Sequence, residues 1–149
     1  MTTDLCTFTM VIPTYNRVFQ LSNCLVSLAQ LNYPKDRYEV IVVDDQSKET
    51  PEPLITAFCN QMDITLIVQP HRGPAAARNA GSGKAKGDYI AFIDDDCIAS
   101  PDWLLELAKA FATDPEQALG GLVVNQLTSN PYAVASQELV NYVCSYFEI

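Results

Sequence analysis

One ten-residue stretch decides the fold class of this chain, Tyr38-Glu39-Val40-Ile41-Val42-Val43-Asp44-Asp45-Gln46-Ser47. Its central residues, 40–43, are apolar at every position rather than at every second one. An uninterrupted apolar run is typical of a parallel strand that helices cover on both faces. The stretch therefore predicts a buried parallel strand over 38–43, with two carboxylates directly after its carboxyl end.

Strand-like and helix-like segments alternate on both sides of this stretch. Further strands are predicted over 8–12, 64–68, 89–93 and 119–126. Helices are predicted from Val18, around Pro51 and Pro53, over 74–85, from Pro101 with Ser100 as its N-cap, and from about Tyr132 to the chain end. The alternation predicts an α/β fold, a mostly parallel doubly wound sheet with helices on both faces, in which residues 1–149 form a single domain portion.

Composition excludes several classes of protein. The 149 residues amount to about one domain, and 48% of them are apolar, which is enough for a sizeable core. The net charge of −9 disfavours nucleic acids and anionic membrane surfaces as partners. The chain has neither an apolar run of about 18 residues nor a signal-like N-terminus, which predicts a cytoplasmic protein without a membrane segment in this chain. Five scattered cysteines without a Cys-x-x-Cys pair favour reduced thiols.

Polar loops follow four of the predicted strands. In doubly wound sheets, ligands bind outside the carboxyl ends of the strands. The loops that reach this edge are 13–17, 44–47, 71–74 and 94–96. Their occurrence together, each at the corresponding strand end, predicts a ligand site at this rim of the sheet.

Five carboxylates are predicted to converge at the rim: Asp44, Asp45, Asp94, Asp95 and Asp96. Like charges so close repel one another unless a partner compensates them, and a hard divalent cation is a natural partner for oxygen ligands. Two arginines lie nearby, one just before a predicted helix N-terminus and the other within that helix, at positions 72 and 78. A helix N-terminus with arginines suits a diphosphate, which a metal ion would bridge to the carboxylates.

Each of these features alone has a simpler interpretation. Asp44 and Asp45 also suit an ordinary turn at a strand end. Arg72 is equally consistent with a solvated surface charge, and Tyr15 with a cover over the sheet edge. The lone histidine, His71, is interpreted as structural or solvent-facing.

The chain also contains six motifs in a characteristic order and spacing. They are VIPTYNR at 11–17, VVDDQS at 42–47, RGPAAARNAG at 72–81, GDYIAFIDDD at 87–96, PDWL at 101–104 and GG at 120–121. In this order the sequence resembles the nucleotide-sugar-binding part of an inverting family 2 glycosyltransferase of the GT-A (Rossmann-like) fold. The resemblance covers essentially the whole chain.

The resemblance implies a nucleotide pocket. Pro13, Thr14 and Tyr15 would line it, with Tyr15 stacking on the base and Arg17 in the same binding set. Asp45, with Asp44 as its companion, would accept a hydrogen bond from uracil or thymine.

The resemblance also implies a diphosphate and metal site. Arg72 would face the base or the diphosphate, and Arg78 would support the carboxylates or phosphates. Asp94, Asp95 and Asp96 match the Asp-x-Asp (DXD) motif. There Asp94 and Asp95 would contact the nucleotide sugar, and Asp94 and Asp96 would hold Mn²⁺ or Mg²⁺.

The catalytic base of such enzymes lies in a later Glu-Asp-type motif, which this chain does not show. The acidic residues after Gly121 are Glu138 and Glu148, both in the last predicted helix. We therefore interpret the chain as the donor-binding half of a transferase that moves a sugar from a UDP- or dTDP-sugar to an unknown acceptor hydroxyl, with the acceptor-binding half missing. A non-catalytic nucleotide-sugar-binding module is the alternative.

The wide apolar face of the last helix predicts more than one packing partner. A fragment of a longer enzyme fits this, as does a natural short protein whose helix packs on its own sheet or forms a homo-oligomer with another copy. A phosphate-accepting receiver domain is disfavoured, because no lysine follows the predicted fifth strand.

Overall fold

Strands and helices alternate through the first unit of the molecule. The structure is a computed structural model that describes residues 5–147, with side chains as far as Tyr142. Its elements are β1 (Phe8–Thr14), α1 (Val18–Ala29), a 3-10 turn (Lys35–Arg37), β2 (Tyr38–Asp44), α2 (Glu52–Phe58), β3 (Asp63–Val68), α3 (Pro74–Ser82), β4 (Tyr89–Phe92), α4 (Trp103–Thr113) and α5 (Pro131–Phe147). The elements up to α4 belong to a compact unit that ends at Pro115, and α5 belongs to a second unit that begins at Glu116.

The four strands form one sheet in the order β3-β2-β1-β4. All three pairs of neighbours are parallel, so the predicted parallel α/β sheet is confirmed. Thr14 pairs with Asp44, which in turn pairs with Val68. β1, β2 and β3 end in register and β4 ends opposite Val11, and because all four strands are parallel, the loops that follow them emerge at one edge.

Both faces of the sheet are covered, as the continuous apolar run of β2 predicts. On one face, Met10 and Val42 pack in a core with α1, which buries Leu21, Cys24, Leu25 and Leu28 at helical spacing. On the other face, Val11, Ile41 and Val43 pack against Ala77 of α3. A side chain at Gly81 would collide with Val11, so the glycine permits the close approach of α3 to the sheet.

The predicted N-cap of α4 is wrong. The helix begins at Trp103 rather than Pro101, and Ser100 contributes a backbone carbonyl to the preceding turn. The carbonyl of Pro101 accepts the N–H of Asn32 at 2.8 Å, and the carboxylate of Asp102 accepts its side-chain amide. These bonds hold residues 100–102 against the loop that follows α1, and the helix begins only after them.

The predicted strand over 119–126 is also wrong. Within the second unit, residues 116–130 have no regular secondary structure and precede α5. Gly120 and Gly121 weaken strand formation, and the described part of this unit contains no strand with which 119–126 pairs. Apolar character alone therefore did not suffice for a strand here.

The last helix begins where the sequence predicts, within one residue. The side chain of Asn130 accepts the N–H groups of Tyr132 and Ala133 and so caps α5, with Pro131 at its first position. Its predicted continuation over 148–149 lies outside the described residues. Among the described residues, no helix is both long and apolar enough to cross a membrane.

Candidate functional site

The carboxyl ends of the strands border one pocket. It is built from the ends of β1 and β2, the first half of α3 with the loop before it, and the loop after β4. The residues that line it are Pro13, Thr14, Tyr15, Arg17, Asp45, His71, Gly73, Pro74, Ala77, Arg78, Asp94, Asp95 and Asp96. This is the edge at which a parallel α/β sheet binds its ligands.

Two predicted site residues, Asp44 and Arg72, do not line the pocket. Asp44 is buried, and its Oδ1 accepts the backbone N–H and the hydroxyl of Ser47 at 3.1 and 2.5 Å. It closes the turn after β2, so the predicted convergence of five carboxylates reduces to four. The reason is geometric, because successive side chains of an extended segment point to opposite sides and Asp45 takes the pocket side.

Asp45 fastens the loop before α3. Its Oδ1 accepts the side-chain amide of Gln69 at 2.7 Å and the N–H of Arg72 at 2.9 Å. Its Oδ2 accepts the N–H of Gly73 at 2.9 Å and lies 2.8 Å from Nδ1 of His71. Gly73 has a φ of +86°, a conformation that glycine adopts without strain and that turns the loop around the carboxylate.

These contacts keep the Asp45 carboxyl ionised. Burial by itself raises its pKa, but the hydrogen bonds from Gln69, Arg72 and Gly73 and the charge of His71 outweigh burial and lower the pKa below its usual value. Asp45 therefore acts as a fixed anion that links the end of β2 to the N-terminus of α3.

The rings of Tyr15 and His71 lie against each other at the mouth of the pocket. Their centroids are 4.4 Å apart with an interplanar angle of 31°. The Tyr15 side chain remains half-exposed, and that of His71 is 57% exposed. The pair gives this side of the pocket an aromatic wall, of the kind that stacks on a planar ligand.

Arginines compensate the charge of the acidic triplet after β4. Arg78 of α3 donates from Nη2 to Oδ1 of Asp94 at 2.5 Å. Arg17 donates from Nη1 to Oδ2 of Asp96 at 2.9 Å and lies 3.4 Å from Oδ1 of Asp95. The charges of Asp95 and Asp96 raise the pKa of Arg17. The guanidinium groups of Arg17 and Arg78 thus supply the positive charge that the sequence predicts from a divalent metal ion.

The middle carboxylate differs from the outer two. The side chains of Asp94 and Asp96 are 56% and 53% exposed, whereas Asp95 is buried and accepts the hydroxyl of Thr14 at 2.8 Å. Burial raises the pKa of Asp95, and the charge of Asp96 adds to this, against the opposing effects of Thr14 and Arg17. Asp95 therefore anchors the triplet to β1, while the outer carboxylates face the pocket.

The outer carboxylates have the chemistry of a partial metal site. Within residues 5–147, no three His, Cys, Asp or Glu side chains surround one point as a complete metal cage would require. Mg²⁺, however, is usually held by one or two carboxylates together with substrate phosphates and water. Asp94 and Asp96 fit that donor set, with the remaining ligands left to a phosphate-bearing molecule.

His71 and Gln69 are the residues that sequence reasoning missed. Both reach Asp45 from more than twenty positions away, so no local pattern marks them. Their position in the chain could have identified them as site residues, because both lie between the end of β3 and the N-terminus of α3, beside the loop that carries Asp45.

Comparison with known proteins places this chain in a family. The sequence model of Glycosyl transferase family 2 matches residues 9–148. The glycosyltransferase AglE of Haloferax volcanii is 38% identical over 127 residues, which are 83% of this chain and 41% of that protein. The chondroitin synthase of Escherichia coli is 38% identical over 114 residues, 75% of this chain and 16% of that protein.

Solved structures that resemble this chain are also glycosyltransferases. S. aureus TarS (residues 1–349), in complex with UDP, superposes with a TM-score of 0.70 and 26% identity over 80% of this chain and 38% of that one. The mannosyltransferase PcManGT of Pyrobaculum calidifontis, in complex with GDP-Man and Mn²⁺, has a TM-score of 0.68 and 27% identity over 74% of this chain and 33% of that one.

The fold is that of the GT-A glycosyltransferases. The chain belongs to glycosyl transferase family 2, which confirms the resemblance seen in the sequence. It spans less than half the length of each of these relatives.

Proposed function

We propose that this chain is the donor-binding part of an inverting glycosyltransferase that uses a UDP- or dTDP-sugar together with Mn²⁺ or Mg²⁺. One observation carries the proposal. A single pocket at the strand ends joins an aromatic wall, two arginines and two exposed carboxylates. These are the groups needed for a base, a diphosphate and its counter-ion.

The base and ribose occupy the side of the pocket formed by β1 and β2. Tyr15 stacks on the base, and Pro13 and Thr14 form the adjoining wall. Asp45 lies at the floor, where its fixed charge orders the loop that closes this side. Structural relatives solved in complex with UDP and with GDP-Man support a nucleotide sugar as the ligand.

The diphosphate lies beside α3. The N-terminus of this helix, at Gly73 and Pro74, opens into the pocket and favours negative charge. Arg78 projects from the same helix, and Arg72 starts from the loop that Asp45 fixes, from which it would reach the base or the diphosphate. The guanidinium group of Arg17 adds a third positive charge from the loop after β1. Together they favour a ligand with two phosphate groups.

Asp94 and Asp96 would hold the divalent cation, with Asp95 as the buried support between them and Asp94 also near the sugar. When bound, the cation supplies Lewis-acid stabilisation of the charge on the departing nucleoside diphosphate. Arg17 pairs with Asp96 and Arg78 with Asp94, so the two guanidinium groups lie beside the carboxylates that would hold the cation and could donate to the phosphates of a bound donor.

The acceptor hydroxyl attacks the anomeric carbon from the side opposite to the leaving diphosphate, which inverts the configuration. A general base must remove the hydroxyl proton. The family resemblance locates that base in a later carboxylate motif, so the residues described here supply donor binding and leaving-group stabilisation.

Thermal unfolding in the presence of nucleotides tests the proposal. Ligand that binds the native state at 100 times its Kd adds about 2.7 kcal/mol of stability, which is a readily measured rise in Tm. We expect UDP or dTDP to raise Tm, and Mn²⁺ to increase that rise. Asp96→Asn should abolish the Mn²⁺-dependent part, whereas Asp36→Asn, which removes an exposed carboxylate outside the pocket, should not. A Tm that responds to no nucleoside diphosphate contradicts the proposal.

A further inference from the structure

The turn between β1 and α1 carries two of the residues that line the pocket. Tyr15 and Arg17 stand on either side of Asn16, whose φ is +54°. Left-handed backbone of this kind is unfavourable for residues with a side chain, although asparagine tolerates it better than most. Among the described residues, Gln46 is the other non-glycine residue with a positive φ, at +67°. Such backbone persists where surrounding contacts hold it, and it is concentrated at functional sites.

A chain of hydrogen bonds joins Asn16 to the end of β2. The backbone N–H of Asn16 donates to Oγ of Ser47 at 2.8 Å, and the Ser47 hydroxyl donates to Oδ1 of Asp44. In return, Oδ1 of Asn16 accepts the N–H of Lys48 at 2.8 Å. Because a backbone N–H can only donate and a serine hydroxyl has one hydrogen, the directions of these bonds are fixed. We call the side chains of Asp44, Ser47 and Asn16 the rim bridge.

Asp44 is the buried end of the rim bridge. It is the last residue of β2, it is 2% exposed, and its carboxylate also accepts the backbone N–H of Ser47 at 3.1 Å. None of the three residues of the rim bridge lines the pocket. The rim bridge can therefore affect a ligand in the pocket only through the residues whose positions it sets.

Both rings of the aromatic wall are tied to the loop after β2. Tyr15 directly precedes Asn16, and the backbone N–H of His71 donates to the side-chain oxygen of Gln46 at 3.2 Å. The two rings in turn pack against each other, with centroids 4.4 Å apart. The loop after β2 thus sets the position of Tyr15 through the rim bridge and that of His71 through Gln46.

We propose that Asp44, Ser47 and Asn16 are positioning residues for donor binding, which act on the nucleotide through Tyr15. The inference rests on the proposed function and deepens it, because it gives the first aspartate after β2 a role without ligand contact. Ser47 links the other two, since its hydroxyl oxygen bonds to both. Arg17 is held separately by its ion pairs with the acidic triplet. Without the rim bridge the Tyr15 ring must be ordered when the nucleotide binds, which costs conformational entropy.

A double-mutant cycle on UDP binding tests this role. Calorimetric titration at saturating Mn²⁺ measures the affinity of the unmodified chain, Ser47→Ala, Tyr15→Leu and the double variant. Ser47→Ala should weaken UDP binding about fivefold when Tyr15 is present and less than about twofold in the Tyr15→Leu background, where the ring through which it acts is gone. An equal fold-change in the two backgrounds overturns the proposal, because a purely structural loss would weaken binding alike in both.

Three further variants complete the test. Ser47→Thr retains the hydroxyl and should bind UDP as tightly as the unmodified chain. Asn16→Ala disfavours the left-handed turn and removes the acceptor for Lys48, so it should give the same cycle as Ser47→Ala and replaces it if Ser47→Ala does not fold. Ser22→Ala, which changes a partly buried serine of α1 outside the pocket, is the control and should leave UDP binding unchanged.

The outcomes separate this inference from the proposed function. Weak UDP binding by Ser47→Thr, at the level of Ser47→Ala, overturns the role of the hydroxyl. If UDP binds the unmodified chain but the cycle is additive, this inference fails and the proposed function stands. If no nucleoside diphosphate binds the unmodified chain, the proposed function and this inference both fail.

Discussion

Arg78 and Asp94 form an ion pair 2.5 Å long between the third helix and the loop after the fourth strand. The pair joins a cation suited to phosphate with a carboxylate suited to a metal ion. Both groups are therefore neutralised by each other before any ligand binds. The binding of the diphosphate and of the cation should consequently be coupled, because each takes one member of the pair.

The first prediction concerns this coupling. Arg78→Gln should weaken UDP binding at saturating Mn²⁺ by about tenfold or more, because a charge-assisted hydrogen bond to phosphate is lost. The same change should strengthen the binding of Mn²⁺ alone, because Asp94 loses its competing cation. Isothermal titration calorimetry measures both affinities. Lys84→Gln, which removes an exposed cation outside the pocket, is the control and should change neither. Weaker binding of Mn²⁺ alone in Arg78→Gln would mean that Arg78 supports the metal carboxylates instead of competing for them.

The second prediction concerns Asp45 and pH. Because the folded state lowers the pKa of Asp45, its contribution to stability is complete above the ordinary aspartate pKa. It is lost as the pH falls through the lower folded value. Asp45→Asn should reduce the free energy of unfolding at pH 7 by about 2 kcal/mol, since an amide cannot accept all four donors. The difference in free energy of unfolding between Asp45→Asn and the unmodified protein should become smaller as the pH falls below the ordinary aspartate pKa.

Urea unfolding between pH 2 and pH 7 measures this difference. Asp36→Asn again serves as the control, since Asp36 is exposed in the 3-10 turn before the second strand. A deficit for Asp45→Asn that stayed constant down to the lowest pH would show that the charge of Asp45 is not what holds the loop.

The third prediction concerns the backbone at Gly73. A Cβ at this position would meet no atom within 4 Å, so Gly73→Ala tests the left-handed conformation alone. The expected cost is about 1 kcal/mol of stability, together with weaker nucleotide binding because the N–H of residue 73 shifts from Asp45. Gly83→Ala is a matched control, since Gly83 has a right-handed backbone and a Cβ there meets its nearest atoms at 3.5 Å. It should be neutral or slightly stabilising. Equal effects of the two substitutions on Tm would contradict the role of Gly73.

Much of the fold was predictable because its signals are local. The apolar run before Asp44 specifies a strand buried on both faces, and the spacing of leucines after Val18 specifies a helix. The segment 119–126 shows the limit of such signals. Its residues are as apolar as those of a strand, but pairing depends on a neighbouring strand, and a single segment carries no information about that neighbour.

The candidate site was predictable in outline for a related reason. Parallel strands bring their carboxyl ends to one edge, so the loops that hold Tyr15, Asp45 and Asp94 had to meet. Which side chains face the pocket depends on contacts between distant residues. The bond from Ser47 turns Asp44 away, and the contact of Asp45 with His71 spans 26 positions. Neither is visible in a local pattern.

The fourth prediction is that the contribution of Asp95 to stability depends on pH in the opposite sense to that of Asp45. Burial raises its pKa, so ionisation of Asp95 costs stability in the folded state. Its contribution is most favourable below the ordinary aspartate pKa and is lost as the pH rises through the higher folded value. Asp95→Asn removes this loss and still leaves an oxygen to accept the hydroxyl of Thr14. Relative to the unmodified protein, the variant should therefore gain stability as the pH rises from 3 to 7. The same urea titration used for Asp45→Asn measures it. A difference that moves the other way would show that the ion pair with Arg17 outweighs burial, and that Asp95 belongs with the outer carboxylates rather than between them as their support.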